Sequence, residues 1–335
     1  MRRTRIELAA VAAIPNLAEA AARAARGKRE RPAVRAFLAD LEGNLGSLAE
    51  AILSGRVPRG DYRAFRIRDP KPRVIHAACF PDRVLHHAVM CLAGPVLERT
   101  MTDTSFACRP GKGTLAAVQA ARAAIQRFPW YVKIDVKGYF EHIDHAVLLD
   151  LLARRFKGGA FLDLLGRIVH GCPAAPGRGL PIGSLTSQYF ANYYLDGLDR
   201  LLLEGLGVRA ELRYMDDVLW FCDDRDQARE TLALVCDWLG AKRLLRLKEP
   251  PQINRSAHGV GFCGFRVRAG ALLLGRRRRR RYAERRAHWE SAWQSGQIDA
   301  LGLQRGYDAV RAIVGHAQSG GWRRTNLARF PAPEL

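Results

Sequence analysis

The chain has 335 residues, of which 48% are apolar, so it is long enough to bury the cores of two or three subdomains and too apolar for a disordered protein. Its 54 Lys and Arg exceed its 33 Asp and Glu, and this net charge of +21 favours nucleic acid over a membrane surface as the partner. No stretch approaches the roughly 20 apolar residues of a membrane span, and the seven scattered cysteines form no Cys-x-x-Cys pair, which disfavours a zinc knuckle and predicts reduced thiols in a cytoplasmic protein.

The first 57 residues carry a helical pattern. Apolar residues recur at helical spacing over 17–25 and 34–53, with a basic, Gly- and Pro-containing segment between them. The short apolar run 8–14 is bounded by Glu7 and Pro15, which argues against an export signal. We expect a helical layer that packs on the rest of the chain.

Residues 61–75 alternate basic with apolar side chains and predict two strands joined by a turn at 69–72. The hairpin is either a solvated basic surface or a clamp for phosphate groups that uses Lys71 and Arg73.

Residues 80–127 predict helix, loop and helix. His86 and His87 have no partner at metal-ligand spacing, which indicates a structural role.

A basic, Gly-rich loop with Arg109 and Lys112 precedes the second of these helices. Backbone amides at a helix N-terminus favour phosphate, although the spacing is not that of a Walker loop.

A later Gly- and Pro-rich loop leads into a long helix with Ser184 or Thr186 as a plausible N-cap. Gly183 in that loop allows a ligand to approach the backbone closely.

Three carboxylates stand out. Residues 131–136 predict a strand with Asp135 near its C-terminal end, where it either caps the next helix or takes part in chemistry. Apolar residues flank Asp216 and Asp217 in the segment AELRYMDDVLWF, which predicts a hairpin with both acids in its turn. That pair is either an ordinary Asp-rich turn or a holder of divalent metal ions, because two like charges at one tip attract cations.

The remainder predicts an amphipathic helix over 226–239 and, over 259–267, either a second hairpin or a strand with close backbone contacts. It also predicts a helix over 276–293 that begins with six consecutive Arg. Such a run is often only solvated. Here it opens a patterned helix with Tyr282, Trp289 and Trp293, which favours a surface that faces nucleic acid.

The segments YVKIDVKGYF, GLPIGSLTSQYFANYYLD, RYMDDVLWF and GVGFCGFRV occur in the order of the palm of reverse transcriptases, which this chain resembles over residues 30–290. The resemblance implies an α+β right-hand polymerase with fingers, palm (an antiparallel sheet with helices) and a short helical thumb. It divides the chain into an N-terminal helical region (1–57), fingers (58–130), palm (131–268, with inserted helices around 146–200) and a basic thumb and tail (269–335).

The resemblance also implies site residues. Asp135, Asp216 and Asp217, with the Val136 carbonyl, would hold two Mg²⁺ ions, for which Mn²⁺ is a substitute. The residues implied to bind the nucleotide are Lys71, Arg73, Phe140 as a steric gate, Ile182, Gly183, Gln188 and Lys248, with Lys242 competing with Lys248 as general acid. The residues implied to bind nucleic acid are Arg109, Lys112, Tyr214, Phe262 and Gly264 of the primer grip, Arg276, Arg277, Arg278, Arg280 and Arg281.

A finer similarity is to reverse transcriptases of diversity-generating retroelements, carried by Ile182-Gly183 and Ser187-Gln188 where many relatives have Gln-Gly and Ser-Pro. It implies copying of a template-repeat RNA into cDNA from deoxynucleotides, with errors at adenines, for retrohoming and mutagenesis. It also implies a small, basic, oligomeric helical partner, the accessory variability determinant. The alternatives are a phage-defence or retron-type reverse transcriptase and a non-catalytic RNA-binding scaffold.

Overall fold

The computed structural model describes residues 3–68, 72–171 and 175–333. Contacts divide the chain into two compact units. Unit one comprises residues 1–108, 136–201 and 233–249, and unit two comprises residues 109–135, 202–232 and 250–335. Lys71, which we predict to contact the nucleotide, lies outside the described residues.

The described helices and strands follow in chain order. The helices are α1 Leu8–Ala12, α2 Ile14–Ala25, α3 Pro32–Ala39, α4 Leu41–Leu53, α5 Phe80–Glu98, α6 Thr114–Arg127, α7 Tyr139–His142, α8 His145–Ala153, α9 Gly159–His170, α10 Leu185–Arg200, α11 Arg225–Arg243, α12 Arg276–Gln294, α13 Ala300–Val314 and α14 Gly320–Arg329. The strands are β1 Thr4–Arg5, β2 Tyr62–Arg68, β3 Pro72–Ala78, β4 Trp130–Asp135, β5 Phe156–Lys157, β6 Ala210–Tyr214, β7 Asp217–Cys222, β8 Gln252–Arg255, β9 Val260–Phe262, β10 Phe265–Val267 and β11 Leu272–Leu274.

Unit one is built around α5, on which α2 and α10 pack. The face of α2 that is buried carries small residues such as Ala20 and Ala24, and these let the two helices approach closely. The predicted helix over 34–53 is wrong at one point, because Asp40 interrupts it. The Asp40 Oδ1 accepts a hydrogen bond from the Gly43 amide at 3.2 Å and so begins α4 as a new helix.

The two strands predicted for the basic hairpin of unit one are confirmed, while the predicted turn between them lies, apart from residue 72, outside the described residues. Strands β2 and β3 are antiparallel, with Phe65 opposite Ile75 and Ile67 opposite Arg73. The buried carboxylate of Asp82 at the start of α5 accepts hydrogen bonds from the amides of Arg59 and Gly60 at 2.9 and 3.0 Å. This contact fixes the loop from which β2 departs.

Unit two contains a four-stranded antiparallel sheet in the order β6-β7-β4-β8. Val132, Leu219 and Trp220 from its central strands are fully buried, and α6 packs against β6. The Trp220 Nε1 donates a hydrogen bond to the Thr231 hydroxyl at 3.0 Å, which satisfies its polar atom inside the core.

A second, three-stranded sheet of unit two has the order β11-β10-β9, and helices α12 and α13 pack against each other. The hairpin predicted over 259–267 and the helix predicted from Arg276 are both confirmed. The α+β class is confirmed as well. No helix in the described part of the chain is long and apolar enough to cross a membrane.

Candidate active site

The turn between β6 and β7 presents the acidic pair in a way that differs from the prediction. Tyr214 pairs with Asp217 across the hairpin, so only Met215 and Asp216 form the turn and Asp217 is the first residue of β7. Met215 has a φ of 61°, a left-handed conformation that costs a residue with a side chain about 1–2 kcal/mol. The buried guanidinium of Arg213 supports this turn, because its Nη1 donates to the Met215 carbonyl at 3.3 Å.

The acidic residues of β4 and β7 are neighbours within one sheet. Asp135 is the register partner of Asp217, and Asp216 precedes Asp217 directly. Burial raises the pKa of Asp217 to about 6, although the Lys133 ammonium opposes this shift from 3.2 Å. The charges of Asp135 and Asp216 raise the same pKa further, because each disfavours a second negative charge on Asp217.

These carboxylates suit a divalent cation in their chemistry. Carboxylate oxygens are the hard ligands that Mg²⁺ prefers, and Mg²⁺ commonly takes only one or two of them, together with substrate phosphates. The Asp217 Oδ1 is buried and accepts no hydrogen bond of normal geometry, its contact being the Lys133 ion pair. Among the described residues, no group of three His, Cys, Asp or Glu side chains is arranged so that it could hold a metal ion by itself.

Lys133 and Arg213 are site residues that we did not predict. Lys133 lies two residues before Asp135 and therefore on the same face of β4, and this alternation was the available signal. Arg213 gave no signal in the sequence beyond its charge, which the strand shares with Glu211.

The loop with Arg109 and Lys112 belongs to the same unit as the acidic turn. The Lys112 amide donates to the Arg109 carbonyl at 3.2 Å, and Arg109 is buried. Thr114, the first residue of α6, donates its hydroxyl hydrogen to the Tyr214 hydroxyl at 3.2 Å. The structure thus brings the loop that precedes α6 close to Tyr214.

The predicted primer-grip residues form the tight turn between β9 and β10. Phe262 ends β9 and is buried, and Gly264 has a φ of 80°. The Arg residues that open α12 fall into two classes. Arg276, Arg277, Arg280 and Arg281 are exposed, whereas Arg278 is half-buried and packs against the ring of Phe265.

Unit one holds the residues predicted to bind the nucleotide. The Phe140 carbonyl accepts a hydrogen bond from the Leu180 amide at 2.8 Å, which brings the predicted steric-gate residue next to the loop of Ile182 and Gly183. Gly183 has a φ of 103°, and a Cβ there would lie 3.4 Å from Ile75 of β3, so this loop approaches the basic hairpin that carries Arg73.

A cleft of 1680 Å³ in unit one includes Gly183 and Gln188 in its lining. Lys28, Arg31 and Arg83 also line it. Burial lowers the pKa of Lys28, and the charges of Arg83 and Arg31 lower it further, so the cations here repel one another. Such a wall favours an anionic ligand.

The residue that follows Gly183, Ser184, is held by two buried polar side chains. The Ser184 hydroxyl lies 2.9 Å from the His86 Nδ1 and 2.9 Å from the Thr186 hydroxyl. Ser184 occupies the N-cap position of α10, as predicted, but its side chain makes no capping hydrogen bond because it is turned toward His86. The structural role predicted for His86 agrees with this contact.

The remaining predicted residues also lie in unit one. Val136 forms an isolated β-bridge with Leu247, and exposed Lys248 follows that bridge. Lys242, its competitor as general acid, is exposed in the last turn of α11.

Comparisons with known proteins bear on this geometry. The chain is 26% identical over 140 residues to the group II intron-encoded protein LtrA of Lactococcus lactis subsp. cremoris, covering 40% of this chain and 23% of that protein. It is 23% identical over 150 residues to the putative COX1/OXI3 intron 2 protein of Saccharomyces cerevisiae, covering 43% and 16%. It is 25% identical over 171 residues to protein YkfC of Escherichia coli (strain K12), covering 46% and 45%.

The chain therefore spans less than half the length of each of these relatives. Among solved structures, apo telomerase from Candida tropicalis, truncated from the C-terminal domain, aligns with a TM-score of 0.46 and 11% identity over 65% of this chain and 56% of that one. A profile of the family described as reverse transcriptase (RNA-dependent DNA polymerase) matches residues 67–250, which is more than half of the chain. The chain belongs to the reverse transcriptase family, and the predicted polymerase fold is confirmed by this membership.

Proposed function

We propose that this protein is an RNA-directed DNA polymerase whose metal ligands are Asp135, Asp216 and Asp217. The observation that carries the proposal is the direct pairing of Asp135 with Asp217 across β4 and β7, with Asp216 in the adjoining turn. These carboxylates and the Val136 carbonyl would hold two Mg²⁺ ions, with Mn²⁺ as a substitute. Such ions, when bound, activate the primer hydroxyl and neutralise charge on the leaving pyrophosphate.

The chain's own residues would position the nucleotide. The Phe140 ring would exclude a ribose 2′-hydroxyl, and the hydrogen bond from Leu180 to its carbonyl supports its placement beside Ile182 and Gly183. Gln188 would line the same pocket, and Arg73 would pair with the triphosphate. Lys71 is proposed for that role from the sequence alone, and Lys248, or Lys242 in its place, would protonate the pyrophosphate.

Template and primer are proposed to bind the basic surfaces of each unit. In unit one the support is the cleft wall of Lys28, Arg31 and Arg83, whose mutual repulsion an anion would relieve. In unit two the support is the turn of Phe262 and Gly264 and the proximity of Thr114 to Tyr214. The other contacts proposed in unit two are Arg109, Lys112, Arg276, Arg277, Arg280 and Arg281. We retain the assignment of residues 1–57, 58–130, 131–268 and 269–335 to N-terminal region, fingers, palm and thumb, and a cytoplasmic location, as parts of this proposal.

We further propose the role of a diversity-generating retroelement, in which a template-repeat RNA is copied with errors at adenines. The support is Ile182, which offers only apolar contact where a Gln would hydrogen-bond near the sugar. The accessory variability determinant would be the protein partner. The second candidate is a phage-defence or retron-type enzyme, which the same carboxylates would serve equally well.

Deoxynucleotide incorporation on an RNA template with Mg²⁺ tests the activity. We expect extension by the natural chain and none by Asp216→Ala or Asp217→Ala, with folding of both variants checked by circular dichroism. Extension that persists in both variants would refute the assignment of the metal ligands. Binding of the native RNA without extension, even with the accessory protein added, would support the RNA-binding scaffold instead.

Sequencing the products tests the finer role. We expect misincorporation concentrated opposite template adenines, and we expect Ile182→Gln to reduce it. Faithful copying by the natural chain would favour the defence-type enzyme, and an adenine error rate that Ile182→Gln leaves unchanged would remove Ile182 as the cause.

A further inference from the structure

The third residue of the Arg run is turned toward the protein, as is the fourth residue, Arg279, whose Nε donates to the Leu274 carbonyl. Arg278 is half-buried, and burial lowers the pKa of its guanidinium. Its guanidinium carbon lies 4.1 Å from the centre of the Phe265 ring, which is the closest cation–aromatic contact described in unit two. The Arg278 guanidinium is packed against this ring and therefore differs from an exposed group that is available to bind phosphate.

The two ends of the Arg278 fork reach different elements. Its Nη1 donates to the carbonyl of Ile313, near the end of α13, at 3.3 Å. Its Nη2 donates to the carbonyl of Cys263, in the turn between β9 and β10, at 3.5 Å. Because the side chain itself starts on α12, one guanidinium connects three separate elements of unit two.

The turn fits closely around this side chain. Cys263 and Gly264 have φ values of 48° and 80°, and a Cβ on Gly264 would lie 2.9 Å from the Arg278 Nε. The Gly275 amide also donates to the Gly264 carbonyl at 3.1 Å, and a Cβ on Gly275 would lie 2.6 Å from that carbonyl oxygen. The start of α12 and the turn therefore hold each other with no room for a side chain between them.

The same turn lies within electrostatic reach of Asp217, one of the proposed metal ligands. The pKa of Cys263 is raised first by burial and then by the charge of Asp217, while Lys133 and Arg278 act in the opposite direction. A displacement of the turn would therefore change the distance between the proposed primer grip and Asp217.

We propose that Arg278 is a positioning residue that holds the Cys263–Gly264 turn against α12 and α13, so that the primer end stays aligned with the carboxylates. This inference rests on the proposed polymerase function for its kinetic consequence. Its structural part, the fixing of the turn by a planar fork between two carbonyls and a ring, stands on the contacts alone.

The test compares Arg278→Met and Arg278→Lys with Arg285→Met, a control on the exposed side of the same helix. Two quantities are measured in the full chain. One is single-nucleotide extension, resolved into kcat and the KM for primer–template. The other is the rate of iodoacetamide labelling of Cys263 by mass spectrometry, with the fully buried Cys222 of the same unit as an internal standard for unfolding.

We expect Arg278→Met to lower kcat about tenfold to a hundredfold, because a small misplacement of the reacting end is costly, and to leave the KM for primer–template unchanged. Labelling of Cys263 should rise about tenfold as the turn opens locally, with Cys222 still protected. Arg278→Lys should recover only part of the rate, since an ammonium group cannot span two carbonyls. Arg285→Met should change neither quantity.

Several results would overturn the inference. Unchanged labelling of Cys263 would show that the turn does not depend on Arg278. Labelling of Cys222 together with Cys263 would show that Arg278 stabilises the whole unit and does not hold this turn in particular. A raised KM at constant kcat, with a shallower dependence on salt, would make Arg278 a phosphate contact, and full activity of Arg278→Lys would mean that charge alone suffices. Absence of extension by the natural chain would count against the polymerase proposal, while the labelling ratio would still decide the structural part.

Discussion

The buried His86 should make unit one sensitive to acid. Only 2% of this residue is exposed, and burial, aided by the charge of His87, lowers its pKa from 6.5 to about 4. Between these two values the unfolded chain binds a proton that the folded chain does not. Stability is therefore complete above pH 6.5 and is lost as the pH falls toward 4.

The size of the loss follows from the two pKa values. At pH 4.5 the difference in protonation removes about 2.5 kcal/mol from the free energy of unfolding. His86→Asn isolates this contribution, because an Asn side chain places a polar atom near the position of Nδ1, facing Ser184, and does not titrate. The variant should lose about 2.5 kcal/mol less than the natural chain between pH 7.5 and pH 4.5.

Urea unfolding followed by circular dichroism at both pH values measures how much more stability the natural chain loses than the variant. The contributions of titrating groups that do not interact with His86 cancel in this comparison. Ser184→Ala is the matched control. It removes the hydrogen-bond partner of His86 and should lower stability at both pH values while keeping the acid sensitivity. If the natural chain and His86→Asn lose stability in parallel, the imidazole takes up its proton without unfolding and the reasoning from burial is wrong.

Three further predictions concern other parts of the chain. Phe140→Ala should admit ribonucleotides about tenfold or more efficiently, because the ring that would exclude the 2′-hydroxyl is gone, and competition between ribo- and deoxynucleotides in extension assays measures it; equal discrimination would remove Phe140 as the gate. Arg243→Leu should lower the free energy of unfolding in urea by about 2–4 kcal/mol. Arg243 is buried, its guanidinium carbon lies 4.5 Å from the centre of the Trp238 ring, and its Nε donates to the Tyr194 carbonyl at 2.5 Å. A loss near zero would contradict the importance of these contacts. Gly306→Ala should destabilise the chain by about 1–3 kcal/mol, because the new Cβ would lie 2.5 Å from Trp289. Gly46→Ala in α4, where the new Cβ meets nothing within 4 Å, should instead stabilise it by about 0.5–1 kcal/mol. Thermal melts that rank the two variants the other way would refute the packing described for α12 and α13.

Local patterns sufficed for the elements that carry the acids. Strand β4 was predictable because an apolar run ends at Asp135 before a Gly-containing turn, and the β6–β7 hairpin because apolar residues flank the acidic pair. The placement of Asp217 inside β7 was not predictable from the cost of a buried charge alone. Its side chain is 26% exposed and its Oδ1 lies 3.2 Å from the Lys133 ammonium, and both facts reduce that cost.

Contacts between residues distant in sequence account for most of what sequence reasoning missed. His86 and Ser184 are separated by 98 residues, so no spacing rule connects them. Strand β8 has the sequence QINR and is largely exposed at the edge of its sheet, so it lacks the apolar alternation that identifies strands. The inward turn of Arg278 was hidden by the uniformity of the run in which it occurs.

The pairing of Asp135 with Asp217 limits how this site is able to change over time. In an antiparallel ladder, a shift of one residue moves every side chain of a strand to the opposite face. A single inserted or deleted residue in β7 would thus separate the two carboxylates even if the sheet still formed. Substitutions along β4 and β7 leave the pairing intact, so variation in these strands is expected through replacement of residues and not through changes in their length.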